Sequence, residues 1–281
     1  VWNRDGLFVD SVNFRESIPV EASTEVAACE GANLVLFSVK SPDTEETARD
    51  LARHVRGDAL VISLQNGVDN VERIRAAAAL DPIAAVVYVA SSMPGPGRIK
   101  HDGRGDLIVG DSPRRSGWPR EAAVARVSNW FEAAGVPCRV SPNIDADLWT
   151  KLITNAALNA ISAVVRAPYG DIVATTESRE TVRQLVNECV AVARAAGVSL
   201  PEVDFVEMVL RFAEKVGQVF SSTAQDLDRG KRTEVDALNG FVVRRGAELG
   251  VPTPVNQSLL ALVKLREAQF EPQENWPRPA A

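Results

Sequence analysis

Residues 145–166 read DADLWTKLITNAALNAISAVVR. Leu148, Leu152, Ile153, Leu158, Ile161 and Val165 recur there at three- to four-residue spacing, the mark of a helix packed on more than one side. Lys151, Asn155 and Asn159 fall four residues apart within the same stretch. At about 100° per residue they stack along one side as an ammonium followed by two carboxamides. An unpaired buried amide costs roughly a few kcal/mol and an unpaired ammonium more, so the stripe should face either satisfying protein groups or a wet cleft that holds a polar ligand. The plainer alternative has the asparagines capping neighbouring loops and Lys151 reaching the surface along its own methylene stem.

Around this helix lie 281 residues, 46% of them hydrophobic, which is enough for a full core and, at this length, for two domains. The net charge of -6 lacks the basic excess of a nucleic-acid binder, so no nucleic-acid partner is expected. No unbroken apolar run reaches about 18 residues, the length that spans a bilayer, and no charged segment with an apolar core opens the chain. A soluble, cytoplasmic protein without a membrane partner is the expectation. Cys29, Cys138 and Cys189 form an odd set with no CxxC spacing, which suits a reducing compartment and argues against zinc or redox chemistry. His54 and His101 are the only histidines, so acid–base chemistry falls to a lysine or a carboxylate.

Upstream of the helix, strand and helix patterns alternate. The chain opens at Val1, inside what reads as the end of one element, followed by a turn at Asn3-Arg4-Asp5-Gly6. A short strand over 18–22 and a short helix over 24–29 lead to the apolar run NLVLFSV at 33–39, which fits a doubly buried parallel strand. A helix over 43–55, the strand ALVISL at 59–64, the turn Gln65-Asn66-Gly67 and an alanine-rich helix over 68–79 follow. A strand at 84–91 precedes the loop Met93-Pro94-Gly95-Pro96-Gly97. The runs 98–101 and 106–109, joined by Asp102-Gly103-Arg104-Gly105, read as an antiparallel hairpin. A helix over 119–134 and a strand at 137–140 end at Ser141-Pro142-Asn143. Beyond it only helical periodicity is found, over 145–166, 177–196, 202–219, 233–249 and 254–270, with Gly197 and Gly250 placed as C-caps and a proline-rich tail from 271.

The expected architecture is therefore α/β plus all-α: a Rossmann-like nucleotide-binding domain over 1–141 and a helical substrate domain over 142–281. A ligand is expected at the carboxyl ends of the strands, where Lys40 and Asn66 closely follow buried strands, opposite the polar stripe. Lys40 is otherwise a solvated lysine, and Asn66 otherwise a plain Asn-Gly turn residue. In the helical half, Ser222 either caps a helix or binds a ligand. Glu234 is either a first-turn carboxylate or the counter-charge of Lys151. A protonated, oriented lysine beside two carboxamides suits the reduction of a ketone, because it can stabilise and protonate the oxygen on which charge develops as hydride reaches carbon.

The ordered motifs SVK ending at Lys40, LQNG at 64–67, GRIKHDGRGDLIVG at 97–110, LWTKLITNAALNAISA at 148–163 and SSTAQDLDRGKRTEVDALNGF at 221–241 together resemble the ketopantoate reductases (2-dehydropantoate 2-reductases) along nearly the whole chain. The resemblance implies NADPH-dependent reduction of ketopantoate to pantoate, a step toward pantothenate and coenzyme A. It implies Lys151 as the catalytic lysine, Glu234 as the glutamate that orients it, and Asn155, Asn159 and Ser222 as substrate-binding residues. Asn66 would lie near both nicotinamide and substrate, and Lys40 on the cofactor side. Family members open with a strand, a GxGxxG loop and a helix that this sequence lacks, so roughly 25 to 35 further residues are expected before Val1. The alternatives are a paralogous reductase of another branched 2-keto acid or ester, and a non-catalytic binding protein on the same scaffold. Helical second domains often dimerise, which leaves room for a homodimer.

Overall fold

The structure is a computed structural model in which residues 6–111 and 121–270 are described. The chain divides into two compact units, the first made of Val1–Gln65 with Asp69–Asp147 and the second of Asn66–Val68 with Leu148–Ala281. The turn expected at Asn3-Arg4-Asp5-Gly6 and the proline-rich tail lie outside the described residues, as do the first two residues of the helix expected over 119–134.

The first unit is built on one sheet with strand order β2-β1-β6-β5-β4-β3 and β7 paired to β6. Three parallel strands, β3 (Leu34–Phe37), β4 (Leu60–Ser63) and the start of β5 (Ile83–Gly95), form the nucleotide-binding type of core. Successive residues of β4 point to opposite faces. Val61 joins Phe37, Ala48, Leu51 and Ile74, from helices α1 (Thr44–Leu51) and α2 (Asn70–Ala77), on one face. Ile62 joins Ile83, Val109, Val124, Val127 and Cys138 beneath α3 (Glu121–Ala133) on the other. Burial on both faces explains why β4 and the start of β5 read as continuous apolar runs, whereas β3, at the edge of the described sheet, has Leu36 47% exposed and lacks the double burial expected for 33–39. The described strands form one continuous sheet. β3 has β4 as its one neighbour among the described residues.

Three local readings change. The strand expected at 18–22 is instead a hairpin of β1 (Leu7–Ser11) and β2 (Arg15–Ile18), whose second strand is exposed at every residue and so carries no burial periodicity. The proline- and glycine-rich segment after 91 largely continues β5, which turns at Pro96-Gly97 into a single long β6 (Arg98–Gly110). The Asp102-Gly103-Arg104-Gly105 sequence is a bulged part of β6 rather than a turn: Gly103, Arg104 and Gly105 all have positive φ, and the register against β5 slips on either side of Val89 and Ala90. β6 accommodates this because its first half pairs with β1 and its second with β7 (Cys138–Val140).

The second unit is helical. α4 (Ile144–Val165), whose first turn contains the unit boundary, gives it Leu152, Ile153, Ala156, Ala157, Leu158 and Ile161, all buried against α6 (Thr176–Ala195), α7 (Phe205–Lys215) and α9 (Asn239–Leu249). By length and composition alone α4 could cross a bilayer, contrary to the reading of the sequence, but it is packed as a core helix. Of two short helices, α5 (Tyr169–Ile172) was not foreseen, and α8 (Ser222–Asp228) starts where the sequence offered Ser222 as a helix cap. A buried polar chain ties four helices together. The Glu188 carboxylate of α6 accepts from the backbone N–H groups of Val255 and Asn256 at 2.9 Å each, at the amino end of α10 (Pro254–Ala268), where the helix dipole favours a negative charge. Asn256 Oδ1 accepts from Asn239 Nδ2 at 3.0 Å, and the same Nδ2 donates to the α4 carbonyl of Ala156 at 2.9 Å. Gly250 ends α9 at φ +69°, the left-handed conformation that its position as a C-cap required.

Candidate functional site

The stripe on α4 is graded. Lys151 and Asn155 are half-buried, and Asn159 is 4% exposed. Among the described residues the Asn155 carboxamide has no hydrogen-bond partner, whereas Asn159 is held twice: its Oδ1 accepts from the Tyr169 phenol at 2.8 Å and its backbone carbonyl from Ser221 Oγ at 3.2 Å. The two asparagines therefore differ although their sequence spacing makes them equivalent. Asn159 does tie neighbouring elements together, as the plainer alternative held, but through its Oδ1 and its backbone. Asn155 does not.

Ser221, not Ser222, is the N-cap of α8. Its Oγ accepts from the Ala224 N–H at 3.0 Å, and its own N–H donates to Ser162 Oγ at 3.2 Å. These bonds fix the start of α8 to the turn of α4 that carries Asn159. They leave Ser222 exposed at the first helical position.

Glu234 does not lie in a first helical turn. The helix expected from 233 begins at Asn239, and Thr233–Leu238 forms turns in which the Glu234 carbonyl accepts from Ala237 and Leu238. The Glu267 carboxylate accepts both the N–H and the hydroxyl of Thr233, at 2.7 and 2.6 Å. Glu234 is only 8% exposed, and its Oε2 accepts from Asn66 Nδ2 at 3.0 Å. A buried carboxylate needs such donors.

Asn66 reaches Glu234 from the three-residue piece of chain that belongs to the second unit. Gly67 turns there at φ +107°, which only glycine adopts without strain, and Val68 packs on the helical core. Immediately before it, Gln65 follows β4 and is buried in the first unit. Its Nε2 donates to the Val39 carbonyl at 3.0 Å and to Thr44 Oγ1 at 2.8 Å, and its Oε1 accepts from Ser63 Oγ at 3.1 Å. Gln65 thus binds the carboxyl end of β4 to that of β3, where Lys40 stands exposed ahead of a 3-10 turn, Ser41–Asp43. Arg73 braces the same turn, donating to the Ser41 carbonyl at 2.7 Å and to both Glu45 oxygens.

Tyr169, Ser221 and Gln65 are holding residues that the sequence reading did not single out. Each is a buried residue with a polar side chain, and the usable signal was that such groups must find partners. Burial pushes the Cys189 thiol up to about 12 and raises that of Cys138, so neither is a ready nucleophile.

The model of the family described as Ketopantoate reductase PanE/ApbA matches residues 1–114, and that of its C-terminal domain residues 143–267. The chain is 34% identical over 235 residues to the 2-dehydropantoate 2-reductase of Archaeoglobus fulgidus, covering 84% of this chain and 76% of that protein. A solved PanE/ApbA family ketopantoate reductase from Ralstonia eutropha superposes with a TM-score of 0.88 at 44% identity, covering 96% of this chain and 87% of that one. A 2-dehydropantoate 2-reductase structure from Geobacter metallireducens gives 0.85 at 26% identity, covering 94% and 87%.

Proposed function

The chain belongs to the ketopantoate reductase family, and from that premise we propose that it reduces 2-dehydropantoate to pantoate at the expense of NADPH. The observation that carries the reading is Glu234: a carboxylate buried to 8% exposure, accepting from Asn66, in the same compact unit as the stripe on α4. A surface helix cap needs neither that burial nor that partner.

In this reading the Lys151 ammonium donates its proton to the ketone oxygen as negative charge develops there. Such a positioned acid is worth on the order of 10²- to 10⁴-fold. Glu234 is the counter-charge that keeps the lysine protonated and oriented, and Asn66 holds the carboxylate in one rotamer. Asn155, Asn159 and Ser222 bind the remaining oxygens of the keto acid, contacts that discriminate against analogues lacking them.

The residues present fit the anionic part of a nicotinamide dinucleotide at the carboxyl ends of parallel strands, where Lys40 is an exposed cation after β3. When bound, that cofactor supplies the hydride. The test is oxidation of NADPH by full-length protein on addition of ketopantoate, followed by absorbance. Turnover that collapses in Lys151→Ala supports the reading. Absence of turnover, or a faster reaction with an unrelated branched 2-keto acid, refutes it.

A further inference from the structure

Asn159 is held by Tyr169, and the geometry of that contact fixes which way its carboxamide points. Tyr169 heads α5 and is fixed there by backbone bonds, its own N–H donating to the Val219 carbonyl at 3.0 Å and that of Gly170 to the Gly217 carbonyl at 2.8 Å. The chains approach so closely that a Cβ on Gly170 would stand 3.0 Å from the Gly217 backbone. The Tyr169 ring packs against Phe212 with centroids 6.0 Å apart, and the residue is buried.

The phenol has one hydrogen to donate, and among the described residues Asn159 Oδ1, at 2.8 Å, is its acceptor. Turning the carboxamide over would offer the phenol two N–H groups and leave its own O–H buried without an acceptor. That loss is large enough to fix the orientation by roughly tenfold or more. Burial raises the phenol well above its ordinary range, so it remains a neutral donor. With Oδ1 occupied, the group that Asn159 has left to offer a ligand is its Nδ2. One turn earlier, Asn155 has no such partner and can turn either its carbonyl or its amide toward a ligand.

We propose that Tyr169 is a positioning residue that makes Asn159 an obligate hydrogen-bond donor, so that this point of the stripe selects an acceptor oxygen of the substrate, a carboxylate or carbonyl. The proposal rests on the reading of Asn159 as substrate-binding. It divides the stripe into a cation at Lys151, an adaptable amide at Asn155 and a fixed donor at Asn159, a pattern suited to a 2-keto acid whose adjacent oxygens are acceptors.

The experiment is a kinetic cycle on full-length protein with ketopantoate and NADPH, using Tyr169→Phe, Asn159→Ala and the double variant, with thermal melts run alongside. Tyr169→Phe removes only the hydroxyl and is expected to raise the KM for the keto acid roughly three- to tenfold, the value of one hydrogen bond, leaving kcat and the KM for NADPH within about twofold. Asn159→Ala should raise the same KM at least as much, and adding Tyr169→Phe to it should change nothing further. A Tyr169→Phe penalty that persists in the Asn159→Ala background, or that falls on the melting temperature and the KM for NADPH instead, overturns the proposal. So does a silent Tyr169→Phe beside an impaired Asn159→Ala. If Asn159→Ala leaves the KM for the keto acid unchanged, the substrate-binding reading of Asn159 fails first and the role of Tyr169 falls with it.

Discussion

Replacing Asn66 by alanine leaves the buried Glu234 carboxylate one donor short. The bond lost is a 3.0 Å contact to an ionised oxygen on a residue 8% exposed. Hydrogen bonds to charged groups contribute about 1.5–3 kcal/mol. Asn66 itself is half-buried, so water can partly replace it, and the lower end of that range is expected. If Asn66 acts by holding Glu234, kcat/KM for the keto acid should fall by about tenfold, since 1.4 kcal/mol is one decade. The decisive measurement is the same substitution in a Glu234→Gln background. There the charge is already gone and the bond is neutral, so Asn66→Ala should cost only about threefold, as a net contribution near 0.5–1 kcal/mol implies. An Asn66 that worked through the cofactor alone would instead raise the KM for NADPH equally in both backgrounds. Equal losses of kcat/KM in the two backgrounds would refute the reasoning, because the coupling that defines the pair would be absent.

Lys151→Ala should lower kcat by roughly 10² or more with little change in cofactor affinity, and Glu234→Ala combined with it should be strongly non-additive; stopped-flow single turnovers would show both. The adjacent serines should part company. Ser221→Ala removes a cap and the tie to Asn159 and should cost about 1 kcal/mol or more in urea denaturation, whereas Ser222→Ala should leave stability alone and raise the KM for the keto acid. Arg73 holds the Glu45 carboxyl below its usual range by hydrogen bonding, against a smaller opposing effect of burial. A depressed folded value means that the contribution is present above the unfolded carboxylate pKa and fades as pH falls through the folded one. Glu45→Gln should therefore be destabilising near neutral pH and converge on the parent protein in acid. The side chains are 25% and 37% exposed, so the effect should stay within about 1 kcal/mol in denaturation midpoints measured across pH.

What the sequence made legible follows from where each decision is taken. α4 could be read because its two signals conflict within one helix: an apolar pattern demands burial, and three polar groups in register demand a reason for it. β4 and the start of β5 could be read because burial on both faces leaves an unbroken apolar run. The β1–β2 hairpin could not, since β2 is exposed throughout and imposes no pattern on its residues. Nor could the environment of Glu234. Thr233-Glu234-Val235-Asp236 is a plausible helix start by every local rule, yet the segment forms turns, and the acceptor of the Thr233 N–H is a carboxylate at Glu267, 34 residues on. The same holds for Asp102-Gly103-Arg104-Gly105, where a turn and a bulge call for the same glycines. Pairing of both halves of β6 with β5, and of its ends with β1 and β7, decides for the bulge. Asn155 and Asn159 make the point inside the site itself. Four residues apart on one face, they are interchangeable to any periodic reading, and a single phenol from another helix leaves one able to turn and gives the other a fixed direction.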